Sequence, residues 1–278
     1  MDRETITILG FVALLGMMAI RVPIAIAMSL VGIGGFAAIV GPSQALKLVS
    51  LSPLSTATTY DLGMIPMFVL MGTFATRSGM SSELFRAAEA WLGHRRGGMA
   101  LATITSCAGF AAISGSSIAT AATLTKVALP EMRRAGYSDE VSSAVIAAGG
   151  TVGILIPPSI VLAVYGIITE QNIGKLFMAG MVPGLLAVAL YMLTVSVIAH
   201  LRPEEMPVGA RQGWKQRFAV LRDVWAIALL FLLVVGGIYA GAVTPTEASA
   251  LGAVGAFGIG VARGRQDWQA IRECLVEA

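Results

Sequence analysis

The stretch that decides the fold is Gly97–Thr125, GGMALATITSCAGFAAISGSSIATAATLT, which carries no charged residue over its 29 positions. A second charge-free stretch of the same length, Val141–Thr169, reads VSSAVIAAGGTVGILIPPSIVLAVYGIIT. A helix that crosses the bilayer core needs about 20 residues, so each stretch is too long for one span and too short for two. Clusters at Ser114–Ser117, Gly149–Gly153 and Pro157–Ser159 break helical continuity near the middle. Such breaks at membrane depth predict the lining of a binding site.

The composition indicates a multi-pass helical membrane protein. Hydrophobic residues make up 56% of the 278 residues and charged residues 13%, whereas a soluble domain carries about 25% charged residues. The N-terminus lacks the basic region of a cleaved signal peptide, so we expect the first span to stay in the membrane. No basic stretch carries the interleaved aromatic residues that stack on bases, which argues against a nucleic-acid partner. Cys107 and Cys274 lack metal-ligand spacing, and we expect Cys107 to be a packing residue.

Further apolar segments predict additional membrane helices, at Thr5–Ile20, Ile24–Val40, Leu62–Thr76, Phe177–Leu201, Val224–Ala240 and Gly241–Ala262. Arg21–Pro23 predicts a tight turn between the first two, because proline removes a helix donor and restricts the residue before it. Ser43–Asp61 holds seven Ser and Thr residues and predicts a loop with a short surface helix. Glu131–Glu140 and Arg202–Asp223 predict a polar loop and a basic loop.

An amphipathic helix is predicted at Ser81–Gly93, where apolar residues recur at helical spacing and charged residues occupy the other faces. It serves either as an interfacial arm that props a mobile domain or as a plain surface connector. The tail 263–278 shows a similar pattern and predicts another interfacial helix.

The distribution of basic residues predicts the topology. Cytoplasmic loops carry the excess of Lys and Arg, and basic clusters lie at Arg21, 77–96, 126–134, 202–222 and 263–272. These clusters alternate with poorly charged loops only if the N-terminus is outside and Gly97–Thr125 starts and finishes on the cytoplasmic side. The sequence therefore predicts a re-entrant hairpin with Ser114–Ser117 at its tip.

The breaks offer oxygen atoms and helix ends for binding. Helix N-termini attract anions and C-terminal carbonyls attract cations. Hydroxyls follow at Ser114, Ser116, Ser117, Thr120 and Thr123, and the break at Gly149–Gly153 would add carbonyls and the Thr151 hydroxyl. Broken helices that hold substrate and Na⁺ near the midplane are typical of secondary transporters. No Asp, Glu, Lys or Arg lies in either stretch, which favours Na⁺ over H⁺ coupling and leaves H⁺ open.

Two observations admit simpler explanations. Small-residue runs such as Ala111–Ala122 also let membrane helices pack closely. Glu247 is the one acid inside a late apolar stretch, and its Thr-Pro-Thr-Glu context predicts a capping role rather than a transport role.

A set of motifs carries a family likeness: Ile65–Phe68, Ile113–Ala121, Pro130–Met132, Gly136–Tyr137, Gly153–Ile160, Tyr165–Gly166, Leu176–Gly180, Pro183–Gly184 and Thr244–Ala248. In this order, from about Arg21 to Ala262, the set resembles the large membrane (permease) subunit of tripartite ATP-independent periplasmic (TRAP) transporters. Each motif is weak by itself, and the set is specific.

The resemblance implies an all-α, multi-pass, elevator-type transporter with ion-transporter-like inverted repeats, a re-entrant hairpin and a discontinuous helix. It implies a Na⁺-coupled importer of organic acids such as C4-dicarboxylates, in the bacterial inner membrane with a periplasmic N-terminus. A periplasmic substrate-binding protein and a small four-helix membrane subunit would be its partners. No enzymatic activity and no cofactor are implied, and Na⁺ acts as the coupling ion.

The resemblance also implies the site residues. The Na⁺ site is expected at Ser114, Gly115, Ser116, Gly149, Gly150, Thr151 and Gly153. The substrate is expected at Ser116, Ser117, Thr120, Thr151, Pro157 and Pro158. This sequence departs from the family pattern at Thr120, where many members have Asp, and at Gly149-Gly150, near which many have serines. Both departures bear on the substrate or ion preference.

The implied domains are scaffold helices at 1–80, an arm helix at 81–96, the first half of a transport domain at 97–200, a basic cytoplasmic loop at 201–223, two spans at 224–262 and a tail helix at 263–278. Within the transport half, the hairpin is expected at 97–129, the broken helix at 138–170 and a span at 176–200. Most of the second repeat, with its own hairpin and Na⁺ position, would lie beyond Ala278.

Two other functions remain as alternatives. A non-transporting scaffold, accessory subunit or fragment would lack a complete site. An intramembrane serine hydrolase would use Ser114–Ser117 as nucleophile and His94 or His200 as base, yet both histidines fall at predicted cytoplasmic edges whereas the tip should lie deep.

Overall fold

A computed structural model describes residues 3–277, and all regular structure within that range is helical. The described residues divide into two compact units, one ending at Thr59 and the other starting at Tyr60. The helices are α1 Arg3–Ala19, α2 Ile24–Val40, α3 Pro42–Ala57, α4 Met64–Arg77, α5 Met80–Leu92, α6 Gly98–Ser114, α7 Ser117–Arg134, α8 Asp139–Thr151, α9 Ile160–Ile168, α10 Ile173–Leu201, α11 Trp214–Asp223, α12 Trp225–Phe231, α13 Gly237–Tyr239, α14 Pro245–Ala262 and α15 Trp268–Glu277.

The first unit begins with a tight pair of helices, as the sequence predicts. Arg21 adopts a left-handed backbone conformation with φ of 65°, and its amide donates to the carbonyl of Met18. Pro23 then precedes α2 as its N-cap, where a missing amide hydrogen costs nothing. The prediction of two short apolar helices separated by a turn at Arg21–Pro23 is confirmed.

The prediction of a loop at Ser43–Asp61 is wrong, because α3 runs for 16 residues from Pro42 to Ala57. Its hydroxyl-bearing side chains do not break the helix, because they bond to carbonyls of the preceding turn. The Ser50 hydroxyl donates to the carbonyl of Lys47 at 2.9 Å, and that of Ser55 donates to Ser52 at 3.0 Å. Ser and Thr tolerate helix interiors when they bond back in this way.

The second unit is built around α6. This helix buries 14 of its 17 residues and packs against α4, α5, α7, α8, α10 and α12. Small residues on its surface permit close approach: a Cβ on Gly109 would lie 2.9 Å from Leu84 Cδ2 of α5. Phe110 is fully buried in the core. The small-residue composition of this charge-free stretch therefore allows one helix to be enclosed by six others.

Helices α6 and α7 form an antiparallel hairpin. The Thr103 hydroxyl, near the start of α6, lies 3.4 Å from Met132 Sδ, near the end of α7. The two helices therefore run back along each other from the connection at Gly115–Ser116. Helix α7 continues through Pro130 to Arg134, so the prediction of a polar loop starting at Glu131 is wrong. The basic loop at Arg202–Asp223 likewise contains a helix, α11.

The basic clusters of the second unit gather at one end. Arg263 pairs with Glu83 at 2.9 Å and donates to the carbonyl of Ser78. The remaining contacts at this end are Arg77 with Glu273, the Gly209 amide with the Gly93 carbonyl, the Tyr137 hydroxyl with the Pro207 carbonyl, and Trp91 Nε1 with the Arg217 carbonyl. The hairpin therefore starts and finishes at the end of the unit that holds the basic residues.

The opposite end holds the connections with few basic residues. The Thr246 hydroxyl donates to Asp61 at 3.3 Å, and the Tyr239 hydroxyl donates to the carbonyl of Phe177 at 3.1 Å. Because both ends of α4 meet the corresponding ends of α14, these two helices run parallel. Glu247 forms a complete capping box with Thr244 at the start of α14, as predicted.

Length and composition single out one described helix as able to cross a membrane, Ile173–Leu201. The bent pair Trp214–Asp223 and Trp225–Tyr239 adds a second if it acts as one span. A π-helical segment at Leu232–Gly236 lies within the second helix of that pair. Ile24–Val40 and Gly98–Ser114 are apolar but shorter.

An aromatic cluster fastens α11 to α5. The guanidinium of Arg217 lies 5.9 Å from the Trp91 ring centroid and 5.3 Å from that of Trp214. Arg217 Nη2 donates to His94 Nδ1 at 3.1 Å, which requires a neutral imidazole with its proton on Nε2. Burial, followed by the positive charges of Arg217, Arg211 and Arg95, lowers the pKa of His94 below its ordinary value.

This cluster should loosen in acid. A lowered folded-state pKa means that the contribution of His94 to stability is complete above its unfolded pKa of about 6.5 and is lost as pH falls through the lower folded value. We expect the tryptophan emission of the purified chain to shift to longer wavelength between pH 7.5 and 5. His94→Gln should abolish this shift, because an amide oxygen accepts the Arg217 bond at every pH. A His200→Gln control should retain it, and a flat response of the parent chain would contradict the assignment.

Candidate functional site

The tip of the hairpin is a two-residue break between helices. Helix α6 ends at Ser114, Gly115 turns the chain with φ of 60°, and Ser116 is extended before α7 begins at Ser117. The Ser116 hydroxyl accepts a hydrogen bond from the Ala119 amide at 3.3 Å, as an N-cap does. The Ser-Gly-Ser-Ser sequence therefore supplies a left-handed turn and a cap in successive positions, at the place predicted.

A buried hydroxyl pair joins the two arms of the hairpin just inside the tip. Ser114 Oγ and Thr120 Oγ1 lie 2.7 Å apart, and both residues are buried. Ser114 also lies within 3.4 Å of the carbonyl of Ser116. By contrast, the hydroxyl of Ser117 makes no hydrogen bond to other protein atoms within the described range, and it is only half-buried.

The second break lies later than predicted. Helix α8 continues through Gly149 and Gly150 to Thr151, and the chain leaves helical structure after the 3-10 turn Val152–Ile154. A cis peptide joins Pro157 to Pro158, and Ser159 caps α9, which starts at Ile160. Within the predicted range Gly149–Gly153, α8 includes Gly149 and Gly150, and the break starts only at Val152; the predicted cluster Pro157–Ser159 completes it. Glycine occurs inside a helix where neighbouring helices approach closely, as they do at Gly149 and Gly150.

The two breaks contact each other directly. The Ile160 amide donates to the Gly115 carbonyl at 3.0 Å. A Cβ on Gly115 would lie 2.5 Å from the Pro158 carbonyl oxygen, and one on Gly153 would lie 2.9 Å from the carbonyl oxygen of Ser116. Only glycine allows these backbones to come so close. The structure thus brings the hairpin tip, Gly153 and Pro158 into one cluster.

The three residues before this break face different helices. A Cβ on Gly149 would meet Cys107 Sγ of α6 at 2.8 Å, and one on Gly150 would meet the Ala121 side chain of α7 at 2.8 Å. The Thr151 hydroxyl lies 3.0 Å from the Tyr191 hydroxyl of α10. Gly149 and Gly150 therefore act as packing positions in the structure, and the side chain of Thr151 points to α10 rather than to the tip. Cys107 is fully buried, as expected of a packing residue.

Four helix ends converge on the cluster: the C-termini of α6 and α8 and the N-termini of α7 and α9. The last carbonyls of a helix lack intrahelical partners, and α6 cannot be continued past Ser114 because Ser116 is extended. No group of three or more His, Cys, Asp or Glu side chains that could hold a metal ion occurs in residues 3–277. The groups that the cluster presents are carbonyl and hydroxyl oxygens, such as those of Ser114, Ser116 and Ser117.

A polar groove leads from the tip along α7, and the sequence analysis missed it. The cavity has a volume of about 660 Å³ and lies between α7 and α4. Its polar lining comprises Ser114, Ser116 and Thr123 from the hairpin, Thr73, Thr76 and Arg77 from α4, and Lys126 and Glu277 at the basic end. The helical spacing of Ser116, Thr123 and Lys126 on α7 was the available signal, but the partner wall on α4 comes only from tertiary packing.

The geometry argues against serine hydrolase chemistry. His94 binds Arg217 at the base of the hairpin, and His200 follows Ala199, which contacts Gly97 at that same base. The length of α6 places the tip about 24 Å from this base at 1.5 Å per residue. Neither histidine is within hydrogen-bonding reach of Ser114–Ser117.

Comparison with known proteins gives one family and several relatives. The family described as "Tripartite ATP-independent periplasmic transporter, DctM component" matches residues 11–278. The C4-dicarboxylate TRAP transporter large permease protein of Pseudomonas aeruginosa is 41% identical over 225 residues, which cover 77% of this chain and 52% of that protein. The isethionate TRAP transporter permease protein DctMQ of Oleidesulfovibrio alaskensis is 38% identical over 271 residues, 97% of this chain and 42% of that protein.

An ectoine TRAP transporter large permease protein, from Halomonas elongata, is 33% identical over 238 residues, 85% of this chain and 55% of that protein. The chain thus spans about half the length of the curated relatives it matches.

Gly115→Ala tests what the close approach at the tip costs in stability, beyond the cost of placing alanine in a left-handed backbone conformation. We expect a loss of unfolding free energy of about 3 kcal/mol or more, because the new Cβ meets the Pro158 carbonyl in addition to the left-handed penalty of about 1–2 kcal/mol. Gly241→Ala is the matched control, since Gly241 has φ of 69° and open space around a Cβ. Thermal unfolding in detergent measures both. If Gly115→Ala and Gly241→Ala lose the same unfolding free energy, the close contact between the tip and the second break is contradicted.

Thr120→Val tests the buried hydroxyl pair. The substitution keeps the shape and leaves the Ser114 hydroxyl without its 2.7 Å partner, so we expect a loss of about 1–3 kcal/mol. Thr125→Val, at an exposed position of the same helix whose hydroxyl bonds only to its own helix, should cost less than about 1 kcal/mol. A Thr120→Val variant as stable as Thr125→Val would contradict a structural role for the pair.

Proposed function

The chain belongs to the DctM component family of tripartite ATP-independent periplasmic transporters, and from this premise we propose that it forms part of the permease of a Na⁺-coupled importer of small organic acids. The observation that carries the proposal is the direct contact between two helix breaks, Gly115 O with Ile160 N, in a cluster free of ionisable side chains. Broken helices that meet in this way are the usual substrate and ion site of secondary transporters.

We place the basic end of the second unit in the cytoplasm, because cytoplasmic loops carry the excess of Lys and Arg. The hairpin α6–α7 then enters from the cytoplasm and returns to it. The N-terminus lies in the periplasm and the protein in the bacterial inner membrane. This assignment is supported by the contacts that gather the clusters around Arg77, Arg263 and Arg217 at the base of the hairpin.

The coupling ion would bind on the α6–α8 side of the cluster. The last carbonyls of α6, at 112–114, the hydroxyl of Ser117 and the helix C-termini would present oxygen atoms and negative dipole ends to a cation. Gly149 and Gly150 would act indirectly here, by letting α8 approach α6 and α7, while the close packing of Gly153 against Ser116 fixes the relative position of the two breaks. Na⁺ rather than H⁺ is favoured by the absence of a carboxylate among these residues.

The substrate would bind in the groove beside the tip. The Ser116 hydroxyl, which accepts from the Ala119 amide, would donate a hydrogen bond to an acidic group, and Lys126, at the basic end, would offer a positive charge. The relatives named above carry the names of a C4-dicarboxylate, isethionate and ectoine, so the family scaffold serves more than one acid. The periplasmic binding protein would set the selectivity among such acids.

Transport by a permease of this family would require partner proteins. A periplasmic binding protein would deliver the acid, and a small four-helix membrane subunit would brace the scaffold helices. An elevator-type motion would carry the hairpin and the broken helix across the membrane against α4 and α14. A purely scaffolding role is the alternative that the experiments below exclude or support.

The test uses a single cysteine at Ala119, an exposed position beside Ser116 in the first turn of α7. In a Cys107→Ala/Cys274→Ser background, we expect an impermeant maleimide to label Ala119→Cys from the cytoplasmic side in inverted vesicles. Replacement of K⁺ by Na⁺ should slow this labelling several-fold, because a bound cation tightens the cluster around the tip. Ser117→Ala should remove the Na⁺ effect, since that hydroxyl has no structural bond to lose.

Ser143→Cys is the matched control, being exposed on α8 and remote from the tip, and its labelling should not respond to Na⁺. Labelling of Ala119→Cys from the periplasmic side only would overturn the topology. A missing Na⁺ response, together with no Na⁺-dependent uptake when the partner subunits are co-expressed, would support the scaffold role instead.

A further inference from the structure

Helix α11 carries an exposed apolar stripe that the folded unit does not cover. Trp214, Phe218 and Leu221 lie on one face of the helix, and Trp225 continues the line at the start of α12. Their exposed fractions are 61%, 56%, 49% and 53%. The spacing of four and three residues keeps Trp214, Phe218 and Leu221 on one side of α11, and Trp225 follows across a bend of 48° between α11 and α12. Tryptophan and phenylalanine in such a stripe are typical of segments that lie in the membrane interface.

Basic side chains border this stripe. Lys215 and Arg222 each follow a stripe residue, lie seven positions apart and are exposed. Arg211 lies just before the helix, and Asp223 is the one acid of α11. Seven positions are about two helical turns, so Lys215 and Arg222 project in the same direction. The border therefore presents two positive charges on the same side of the helix, about 10 Å apart along its axis, next to an apolar surface.

An apolar groove opens behind the stripe. It has a volume of about 550 Å³ and is walled by α5, α6, α10 and α11. Leu221 belongs both to the stripe and to the groove wall, while Trp91 and Leu84 of α5 and Met192 of α10 line its interior. The volume falls in the range of small-ligand sites, about 300–1,000 Å³. Since α10 is the long apolar helix of the chain, the groove is continuous with the surface that faces acyl chains.

Contacts on the inner face of α11 hold this helix against α5. Arg217 is 4% exposed and holds the helix to the Trp91 ring of α5 and to His94, which lies just after α5. Its carbonyl accepts from Trp91 Nε1 at 3.3 Å. With its inner face anchored in this way, α11 keeps the stripe, the two basic residues and the groove in one arrangement.

We propose that α11 and this groove bind one anionic glycerophospholipid. One acyl chain occupies the groove, the headgroup phosphate contacts Lys215 and Arg222, and the stripe lies among the neighbouring acyl chains. The charge border selects the anionic headgroup, because each exposed basic residue near an anionic membrane surface contributes about fivefold in affinity. The lipid would fill the gap between the arm helix α5 and the long helix α10 and thereby support both.

The test measures headgroup preference by quenching of tryptophan fluorescence. The purified chain in micelles, with Trp268→Phe to remove the reporter on α15, is titrated with phosphatidylglycerol or phosphatidylcholine that carry the same brominated acyl chains. We expect phosphatidylglycerol to quench at lower mole fraction, because Trp91, Trp214 and Trp225 surround the site. Lys215→Gln/Arg222→Gln should reduce this preference at least about fivefold.

The matched control is Lys175→Gln/Arg272→Gln, which removes the same number of exposed charges elsewhere and should leave the preference unchanged. Ala108→Phe, which fills the groove from α6, should weaken quenching by both lipids. Equal quenching by the two headgroups in the parent chain would overturn the proposal. Equal loss of preference in the control pair, or displacement of both lipids by a co-expressed membrane subunit seated on the stripe, would overturn it as well.

Discussion

The rest of the structure depends on how two breaks in helical pairing are satisfied inside the protein. At Gly115 and at Pro157–Ser159 the backbone leaves the helix, and polar groups unpaired in an apolar surrounding cost several kcal/mol each. The bond from the Ile160 amide to the Gly115 carbonyl lets each break satisfy the other. The small residues around it follow from this contact, because any Cβ on Gly115 or Gly153 would separate the two backbones.

Charge organises the opposite end of the unit. Arg263 with Glu83, Arg217 with the Trp91 and Trp214 rings, and the Tyr137 hydroxyl with the Pro207 carbonyl tie the helix ends together around the base of the hairpin. Partly buried pairs of this kind add more geometric definition than net stability. A charge-free tip and a charged, cross-linked base give the hairpin the asymmetry expected of a segment that enters a membrane from one side.

The sequence predicted the hairpin and the second break, but it placed the start of the second break too early. Charge bias required Gly97–Thr125 to return to the side from which it started, and the Thr103–Met132 contact agrees. At Gly149–Gly150 glycine content predicted a break where the helix continues, because glycines that serve close helix packing and glycines that serve turns look alike in a sequence. Likewise, Ser43–Asp61 predicted a loop because hydroxyls that bond back to their own helix, as that of Ser50 does, are indistinguishable from loop residues.

The sequence by itself determined the membrane class, the position of the hairpin tip and the end at which its base lies. Hydropathy, glycine positions and basic residues are local properties of the chain, so they can be read without knowing which helices meet. Only the tertiary structure decided which break residues meet. Thr151 turns to Tyr191 while Pro158 reaches Gly115, and the groove that joins Ser116 to Lys126 needs α4 as its second wall. These contacts join residues from separate helices, and their geometry follows from the packing of whole helices that no local pattern encodes.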